Sequence, residues 1–371
     1  MMCIVFKNLF KKKEDWIISA RRAYSHSTLL RKSGNTVKLS KQQCANIKSF
    51  WRTYNLKADL LFKQDFYSIY ANSCENSDLL QYYIPDDFYY CYADTYFTNY
   101  HTSIKLDNKN LYDLYFYDVQ KPICIGRRIE GVYLDPDYNP TTLKSTIVRC
   151  QNAGNIIIKS AINSDGGKGC YFVDDVNNNI DKLIEILGSN NNIVIQEIIN
   201  QHDELKSFNP QSVNTVRVMT LYFDGEIHVL SSVLRMGIEG NRVDNASSGG
   251  IVCGIDKDGL LKNIAYDSKG NKYYSHPQGK KFDGVKVPAF SEIIKISERL
   301  ANRFINFTKL ISWDFAIAQD GTPVLIEANF TGGQLDFHQL CNGPIWGEKL
   351  THKILTELFS QSDDIKNVVA K

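Results

Sequence analysis

Three oxygen-bearing side chains near the C-terminus could hold a metal ion. They are Asp314, Glu327 and Asn329, within the segment ISWDFAIAQDGTPVLIEANF. Two apolar runs in this segment flank Gln-Asp-Gly, which is a strong signal for a β-hairpin. The hairpin would bring Asp314 and Glu327 close together at its open end. Carboxylate and amide oxygens suit Mg²⁺, so the sequence predicts a magnesium site, with ordinary surface acids on a solvated hairpin as the alternative.

Lysines and glycines between positions 159 and 169 could bind phosphate. Lys159 lies in a run of isoleucines, NIIIKSA, where an unpaired charge would be costly, so we expect its side chain to reach an anion. In the loop that follows, Gly166, Gly167 and Gly169 can turn backbone N–H groups toward phosphate oxygens. Lys168 adds charge at the loop tip. The loop is not a Walker A motif, because Gly follows the lysine where Ser or Thr is required.

The segment at 195–202, IQEIINQH, could bind a purine nucleoside. A strand is expected to end here and to expose backbone groups that can bind the edge of an aminopurine. Gln196 or Glu197 could serve the base, and Asp203 or Glu204 could serve the ribose hydroxyls. Taken alone, the segment also fits a half-buried strand with polar residues on its wet face.

Length, composition and charge indicate a soluble globular protein. The 371 residues are enough for two or three domains, with 43% hydrophobic and 23% charged residues. Residues 1–41 hold ten Lys or Arg against two acids, so this arm carries a net charge of +8 and the remainder −6. The arm is available for weak contact with an anionic membrane surface or a partner protein, although a mobile basic terminus is the simpler interpretation.

The cysteines favour a reducing cytoplasm. Nine are scattered along the chain without a C-x-x-C pair, which argues against a disulfide framework or a zinc site. The apolar run at the N-terminus is too short to span a membrane, and no signal-peptide cleavage site follows it. No nucleic-acid-binding module is recognisable. We therefore expect a cytoplasmic protein that binds no nucleic acid, held at most peripherally at the inner membrane face by its basic arm.

Apolar spacing predicts the elements that position these residues. Helical spacing is expected across 42–72, and the Tyr- and Phe-rich segment 82–100 is expected to pack between domains. The later pattern favours a long antiparallel sheet from Val213 onward and a helix after Pro288 that leads into the hairpin. Between these lie a short helix at 141–150, strands at 155–161, 171–174 and 192–198, and a helix at 180–187.

In this order, the motifs resemble the ATP-grasp superfamily. A lysine strand, a glycine loop, a Gln-Glu strand end, a long antiparallel sheet and a D-x12-E-x-N hairpin carry the resemblance. The stretches SVNTVRVMTLYFDGEIHVLSSVLRMG, VDNASSGGIVCGID and SWDFAIAQDGTPVLIEAN are similar to the sugar-transfer-associated branch, which occurs among bacterial surface-polysaccharide genes. The resemblance covers roughly residues 85 to 358.

The resemblance implies an α+β fold in which two α/β subdomains with antiparallel sheets grip ATP, with a helical N-terminal extension. The implied domains are a basic, largely helical extension at 1–80, an ATP-grasp-associated segment at 81–150, a small subdomain at 151–205 and a C-terminal subdomain with the metal site at 206–371. A glycosyltransferase would be the partner for the basic arm in this context.

Site residues carry over from the family pattern position by position. Lys109, in LDNKNLYDLYF, and Lys159 would bind the α- and β-phosphates, and backbone near Ile199 would take adenine. ATP and two Mg²⁺ ions are implied. Asp314 would hold one ion, Glu327 would bridge both, and Asn329 would complete the second.

One departure from the family pattern concerns arginine. Many amino-acid ligases of the superfamily place an arginine just before the first metal acid, where this chain has Ser312-Trp313. Arg217 and Arg235 on neighbouring strands are the expected substitutes, and Arg242 is a weaker one. Arginines in surface salt bridges are the alternative. With Lys168, the Arg217 and Arg235 side chains complete the predicted catalytic set.

The implied chemistry is ATP- and Mg²⁺-dependent ligation of a carboxylate to an amine through an acyl phosphate. The substrates would be small molecules, a sugar acid or amino sugar among them, such as a nucleotide-sugar or polysaccharide precursor. An ATP-grasp phosphotransferase and a degenerate nucleotide-binding scaffold for a glycosyltransferase are the alternatives. Candidate acceptor-site residues are Asp244, Asn245, Ser247, Ser248, Gly249, Gly250, Gly332, Gly333 and His338.

Overall fold

A computed structural model describes residues 35–54, 64–74, 76–162, 169–238, 240–244, 249–331 and 333–369. Most of the basic arm (1–34) and most of the glycine loop (163–168) lie outside these ranges. The strands are β1 (Cys124–Ile129), β2 (Val132–Leu134), β3 (Ile156–Ser160), β4 (Cys170–Val173), β5 (Ile193–Glu197), β6 (Thr215–Phe223), β7 (Glu226–Met236), β8 (Ile251–Ile255), β9 (Leu261–Asp267), β10 (Lys272–Tyr273), β11 (Leu310–Ile317) and β12 (Pro323–Asn329).

Helices surround these strands. They are α1 (Lys41–Arg52), α2 (Gln64–Ser73), α3 (Asp86–Phe88), α4 (Asp94–Phe97), α5 (Tyr100–Leu106), α6 (Tyr112–Tyr115), α7 (Leu143–Ala153), α8 (Ile180–Ser189), α9 (Asp203–Lys206), α10 (Phe290–Phe304), α11 (Leu335–Asn342) and α12 (Gly347–Val369). Shorter 3₁₀ turns cover Ser77–Tyr82, Lys109–Leu111 and Val176–Asn178, and a π turn covers Tyr89–Ala93.

The smaller sheet places Lys159 by simple alternation. Among the described residues it has five antiparallel strands in the order β2-β1-β5-β3-β4. Ile156 and Ile158 are fully buried against α7 and α8. Because successive strand residues point to opposite faces, Ile157 and Lys159 turn to the other face, which lines a cavity.

The larger sheet confirms the predicted antiparallel region and its hairpin. Its seven strands, counted within the described residues, have the order β10-β9-β8-β7-β6-β11-β12. Asp314 lies directly opposite Glu327 on β12 and opposite Arg217 on β6. The three charged side chains are therefore neighbours across three adjacent strands.

One face of the larger sheet is largely apolar and packs on α10. Residues such as Val218, Leu234 and Trp313 are buried there in a continuous core. Helix α10 buries residues spaced three or four apart, as expected of an amphipathic helix. The predicted helix after Pro288 is confirmed, with its first residue at Phe290.

The opposite face of the larger sheet is divided along its strands. On β6, Arg217 faces the cavity, whereas Met219, Leu221 and Phe223 on the same face are buried in a second core. On β11, Leu310 belongs to that core, four residues before Asp314. The same strands therefore carry both the polar end of this face, at the cavity, and its apolar end, in the second core.

The N-terminal layer, which is the described part of residues 35–97, covers the apolar end of that face together with α11 and α12. Trp51 is fully buried, and its Nε1 donates to the Tyr67 hydroxyl at 2.6 Å. The helical spacing predicted across 42–72 corresponds to α1 and α2, with residues 55–63 outside the described part. The aromatic segment has a packing role, as expected, but it packs between the larger sheet and the C-terminal helices, which the predicted limits place in one domain.

The chain between α5 and β1 runs along the outer edge of β12. The Tyr112 hydroxyl accepts from the Ala328 N–H and donates to its carbonyl, at 3.2 and 3.1 Å. The Leu325 N–H donates to the Gln120 carbonyl at 2.9 Å. The same stretch carries Lys109 at the start of a 3₁₀ turn, so it both covers the edge and supplies a site residue.

Domain limits remain a prediction. The limit expected at 150/151 falls inside the smaller sheet, because β1 pairs with β5 across that limit. Cysteine side chains in the described part are free thiols. No described helix combines the length and apolar content that a membrane crossing requires.

Candidate active site

A cavity of about 610 Å³ opens between the two sheets and collects most of the predicted site residues. Both sheets and the turn before α6 contribute to its wall. Its charged lining includes Lys109, Lys159, Arg217, Arg235, Asp314 and Glu327.

Lys159 is the buried cation of the smaller sheet. The residue is 9% exposed and lies opposite Cys170 in the β3–β4 register. No described carboxylate lies within ion-pair distance of its ammonium group. Burial lowers the pKa of Lys159 below its ordinary value, and the like charge of Lys109 acts in the same direction. A buried ammonium without a carboxylate partner favours an anion in the cavity.

Lys109 reaches the cavity from the opposite side and is paired with Glu327. Its Nζ lies 2.6 Å from Oε1 of Glu327. Burial acts to lower the pKa of Lys109, but the Glu327 carboxylate outweighs it and raises the pKa above its ordinary value. Lys109 is therefore charged at neutral pH, and one oxygen of Glu327 is committed to it.

Asp314 is enclosed by two arginines. Arg217 donates from Nε to Oδ1 and from Nη2 to Oδ2, both at 2.7 Å, and Arg235 donates from Nη1 to Oδ2 at 3.0 Å. Burial acts to raise the pKa of Asp314, but the two arginines outweigh it and lower the pKa. The two-point contact fixes the plane of the Arg217 guanidinium, whose Nη1 also donates to Oε1 of Gln334 at 2.9 Å.

The strand predicted to bind the nucleoside is placed only in part at the cavity. Glu197 and Ile199 line it, whereas Gln196 and Asp203 do not. Oε1 of Gln196 is buried without a hydrogen-bond donor, and Asp203 is exposed at the start of α9. The assignment of Gln196 and Asp203 to base and sugar remains a prediction.

Comparison with models of protein families shows the family to which the chain belongs. A model of the sugar-transfer associated ATP-grasp family matches residues 96–354, which is more than half of the chain. The chain belongs to this ATP-grasp family. No curated protein sequence matches it significantly.

Solved structures resemble this ATP-grasp protein only distantly. D-alanyl-alanine synthetase A from Vibrio cholerae O1 biovar eltor has 13% identity and a TM-score of 0.42, over 69% of this chain and 64% of that one. An L-amino acid ligase from Bacillus licheniformis has 15% identity and a TM-score of 0.37, over 70% and 49%. Biotin carboxylase from Campylobacter jejuni has 10% identity and a TM-score of 0.40, over 70% and 46%. The chain thus spans about half to two thirds of these proteins, and scores this low support no assignment of activity.

At the β11–β12 hairpin of the ATP-grasp protein, some of the side-chain oxygens are available as ligands for a hard divalent cation and others are occupied. No group of three or more His, Cys, Asp or Glu side chains in the described part is arranged to hold a metal. Among described residues, Oε2 of Glu327 and Oδ1 of Asn329 accept no hydrogen bond. Both oxygens of Asp314 accept from arginines. Glu327 and Asn329 therefore fit Mg²⁺ directly, whereas Asp314 has only the second lone pair of Oδ1 left for it.

Several predicted residues are placed elsewhere in the ATP-grasp protein. His338 is fully buried away from the cavity, bonded to Ser231 Oγ at 2.8 Å, and burial lowers the pKa of its imidazole to about 3. Gly249, Gly250 and Gly333 do not line the cavity. Outside the described residues lie Gly166, Gly167, Lys168, Asn245, Ser247, Ser248 and Gly332.

Sequence reasoning missed Thr215 of the ATP-grasp cavity, and it named Arg242 without predicting what Arg242 contacts. Thr215 lies two residues before Arg217 on the same face of β6 and contacts Asp244, so strand alternation could have found it. Arg242 lines the cavity, forms an ion pair with Asp174 and lies 4.1 Å from the centre of the Phe172 ring. This contact joins the 240–244 segment to β4 and had no local signal in the sequence.

Proposed function

We propose that this protein is an ATP- and Mg²⁺-dependent carboxylate-amine ligase that acts through an acyl phosphate. The supporting observation is that two lysines, two arginines and the hairpin carboxylates converge on a single cavity. Phosphoryl transfer depends mainly on positioning and on stabilising charge. A cavity with this distribution of fixed cations suits that task.

The protein's own side chains divide the work between them. Lys159 and Lys109 bind phosphate oxygens, and burial of Lys159 in a low-dielectric wall strengthens this attraction. Arg217 and Arg235, held by Asp314, stabilise charge on the group in transfer as the acceptor carboxylate attacks the γ-phosphorus and ADP leaves. Glu327 and Asn329 would hold a magnesium ion, which supplies further charge neutralisation when bound. An amine then attacks the acyl carbon and phosphate departs.

Family membership supports the substrate class. The family description refers to sugar transfer, and the cavity carries both cationic and anionic side chains. We therefore infer a sugar acid or amino sugar as substrate, in the biosynthesis of a bacterial capsule or another surface polysaccharide. The small-molecule acid and amine are the partners that this reaction requires.

A substrate panel tests the proposal. The protein is incubated with ATP, Mg²⁺, uronic acids such as glucuronate and galacturonate, and amines such as alanine and glucosamine. We expect ADP release that needs both an acid and an amine, together with a new amide seen by mass spectrometry. ADP release with the acid alone and a stable phosphorylated product would instead indicate a phosphotransferase. Absence of acid-dependent ADP release across the panel would reject the ligase.

A further inference from the structure

A further carboxylate, that of Asp244, lies in the cavity wall beside Arg217 and Arg235. The Thr215 hydroxyl donates to Oδ2 of Asp244, and Nη2 of Arg235 donates to Oδ1 of Asp244 at 3.4 Å. Thr215 and Arg235 are register partners on β6 and β7. The Asp244 side chain is only 14% exposed, and all three residues line the cavity. Its position is therefore fixed from two sides.

Asp244 receives less positive charge than Asp314. Arg235 lies nearer to Asp314, at 3.0 Å, than to Asp244, at 3.4 Å. Arg217 directs two of its donors to Asp314 and a third to Gln334. A carboxylate has about four lone-pair positions, and the described contacts of Asp244 occupy only two of them. Asp244 can therefore accept further hydrogen bonds from a molecule in the cavity.

The protonation behaviour of Asp244 agrees with this geometry. Burial raises the pKa of its carboxyl above the ordinary value, although Arg235 and Thr215 act to lower it. Asp314 adds a like charge, and Arg217 adds an opposite one. The charge of Asp244 also acts on Lys159, so the carboxylate lies within electrostatic reach of the expected phosphate site.

The other acidic side chains in the described cavity wall have ion-pair partners or other predicted roles. Glu327 is paired with Lys109, Asp314 with both arginines, and Asp174 with Arg242. Glu197 lies at the end of β5, next to the segment predicted to bind the nucleoside. Oε2 of Glu327 is also free, but it is assigned to the magnesium ion, so Asp244 is the described lining acid beside the group-transfer cluster that has spare acceptor positions and no other assigned role.

We propose that Asp244 binds the amine of the second substrate and acts as its proton acceptor, an assignment that rests on the proposed ligase function. The amine binds Asp244 as an ammonium and releases one proton to solvent; the neutral nitrogen then donates to the Asp244 carboxylate while its lone pair attacks the acyl carbon. The C–O bond to phosphate breaks, and its electron pair leaves with the phosphate. The N–H proton passes to Asp244, so a neutral amide forms.

Hydroxylamine separates this role from a structural one. It is a small nucleophile, uncharged at neutral pH, that converts acyl phosphates to hydroxamates without needing a site for an ammonium group. With the acid and amine identified by the panel, Asp244→Asn is expected to lower amide formation by about 100-fold or more, as for loss of a general base. Hydroxamate formation should stay near the wild-type rate. Thr215→Val, which removes one of the two contacts that fix Asp244, should give a smaller loss of the same kind.

Controls make the outcomes distinct. Asp258→Asn removes the same charge from an exposed turn after β8 and should leave both reactions unchanged. Calorimetry should show that Asp244→Asn binds an ATP analogue at least as tightly as the wild type, because a negative charge near the phosphate site is lost. Equal loss of amide and hydroxamate in Asp244→Asn, or full retention of amide formation, would overturn the assignment while leaving the ligase proposal in place. Failure of the wild type to give hydroxamate with any acid would overturn the ligase proposal and this assignment with it.

Discussion

Asp314 shows how one residue can carry both stability and chemistry. Its carboxylate is buried and accepts from Arg217 and Arg235. Such a pair contributes little net stability against an apolar replacement, but removing one partner leaves an uncompensated charge in the interior. The arginines therefore depend on Asp314 for their own burial.

Removal of this carboxylate should be costly to the fold. Asp314→Ala is expected to lower the free energy of unfolding by about 3 kcal/mol or more, because two buried guanidinium groups lose their main acceptor. Glu327→Ala is the matched comparison. Its side chain is 24% exposed and it pairs with one lysine rather than two arginines, so we expect a smaller loss of about 2 kcal/mol. Urea unfolding followed by circular dichroism measures both, and equal stability of the two variants would contradict the buried-pair argument.

Lys159 should couple nucleotide binding to proton uptake. Burial lowers its pKa in the free protein, whereas a bound phosphate would stabilise the ammonium and raise the pKa again. Between these two pKa values, binding therefore takes up a proton, and affinity falls as pH rises through the lower value. Calorimetry with a non-hydrolysable ATP analogue measures this uptake, in two buffers with different ionisation enthalpies at each pH of a series that ends below the ordinary lysine pKa of about 10.4.

Lys159→Arg is the control for that measurement. Arginine keeps its charge throughout this pH range. The variant should therefore bind the analogue with a heat that does not depend on the ionisation enthalpy of the buffer. The same proton uptake in Lys159→Arg would show that another group titrates.

At the scale of elements, strand β8 is held against α11 with no space for a side chain at Gly254. A Cβ there would lie 2.4 Å from Oδ1 of Asn342 and 3.1 Å from the Cys341 carbonyl oxygen. Asn342 cannot move away easily, because its Nδ2 donates to Ser231 Oγ and to the Ser232 carbonyl, both at 2.8 Å. The close approach therefore fixes helix α11 to strand β8 of the larger sheet.

Two glycine substitutions should shift stability in opposite directions. Gly254→Ala is expected to cost about 1–3 kcal/mol by overpacking. Gly188→Ala, within helix α8 and with nothing within 4 Å of the added Cβ, should stabilise by up to about 1 kcal/mol through helix propensity. Thermal unfolding of both variants measures the shifts. A stabilised Gly254→Ala would show that β8 and α11 are not in close contact.

Local patterns could be predicted from the sequence, and distant contacts could not. The hairpin follows from its Gln-Asp-Gly turn, and the face of Lys159 follows from alternation with the isoleucines. The Arg217–Asp314 pair joins residues 97 positions apart, and neither segment contains a local signal that predicts its partner. β1 likewise pairs with β5 across a long separation, which is why the predicted limit at 150/151 falls within one sheet.

At the scale of the whole molecule, three apolar cores organise the described chain. Two lie on opposite faces of the larger sheet, and the third belongs to the smaller sheet with α7 and α8. The family match begins at residue 96, yet the layer before it buries one end of the sheet face that carries the arginines. The N-terminal layer is therefore part of the folded unit that supports the site.

Trp51 tests that dependence. Trp51→Ala removes a fully buried side chain and is expected to cost about 3–5 kcal/mol. Hydrogen exchange should show faster opening in α1 and in β6, β7 and β11, whereas β3 and β5 should keep their protection because their core is separate. Trp51→Phe should show a smaller change in the same peptides. Uniform loss of protection in both sheets would argue for a single cooperative core.

Strand β12 sits at the border of the larger sheet and carries Glu327, so its outer backbone groups would ordinarily invite another polypeptide to add a strand. The hydrogen bonds from Tyr112 and Gln120 already satisfy three of those groups. Glu327 can thus lie on an edge strand without that strand being fully open to pairing with another polypeptide. Self-association by strand addition is blocked by the same short stretch that delivers Lys109.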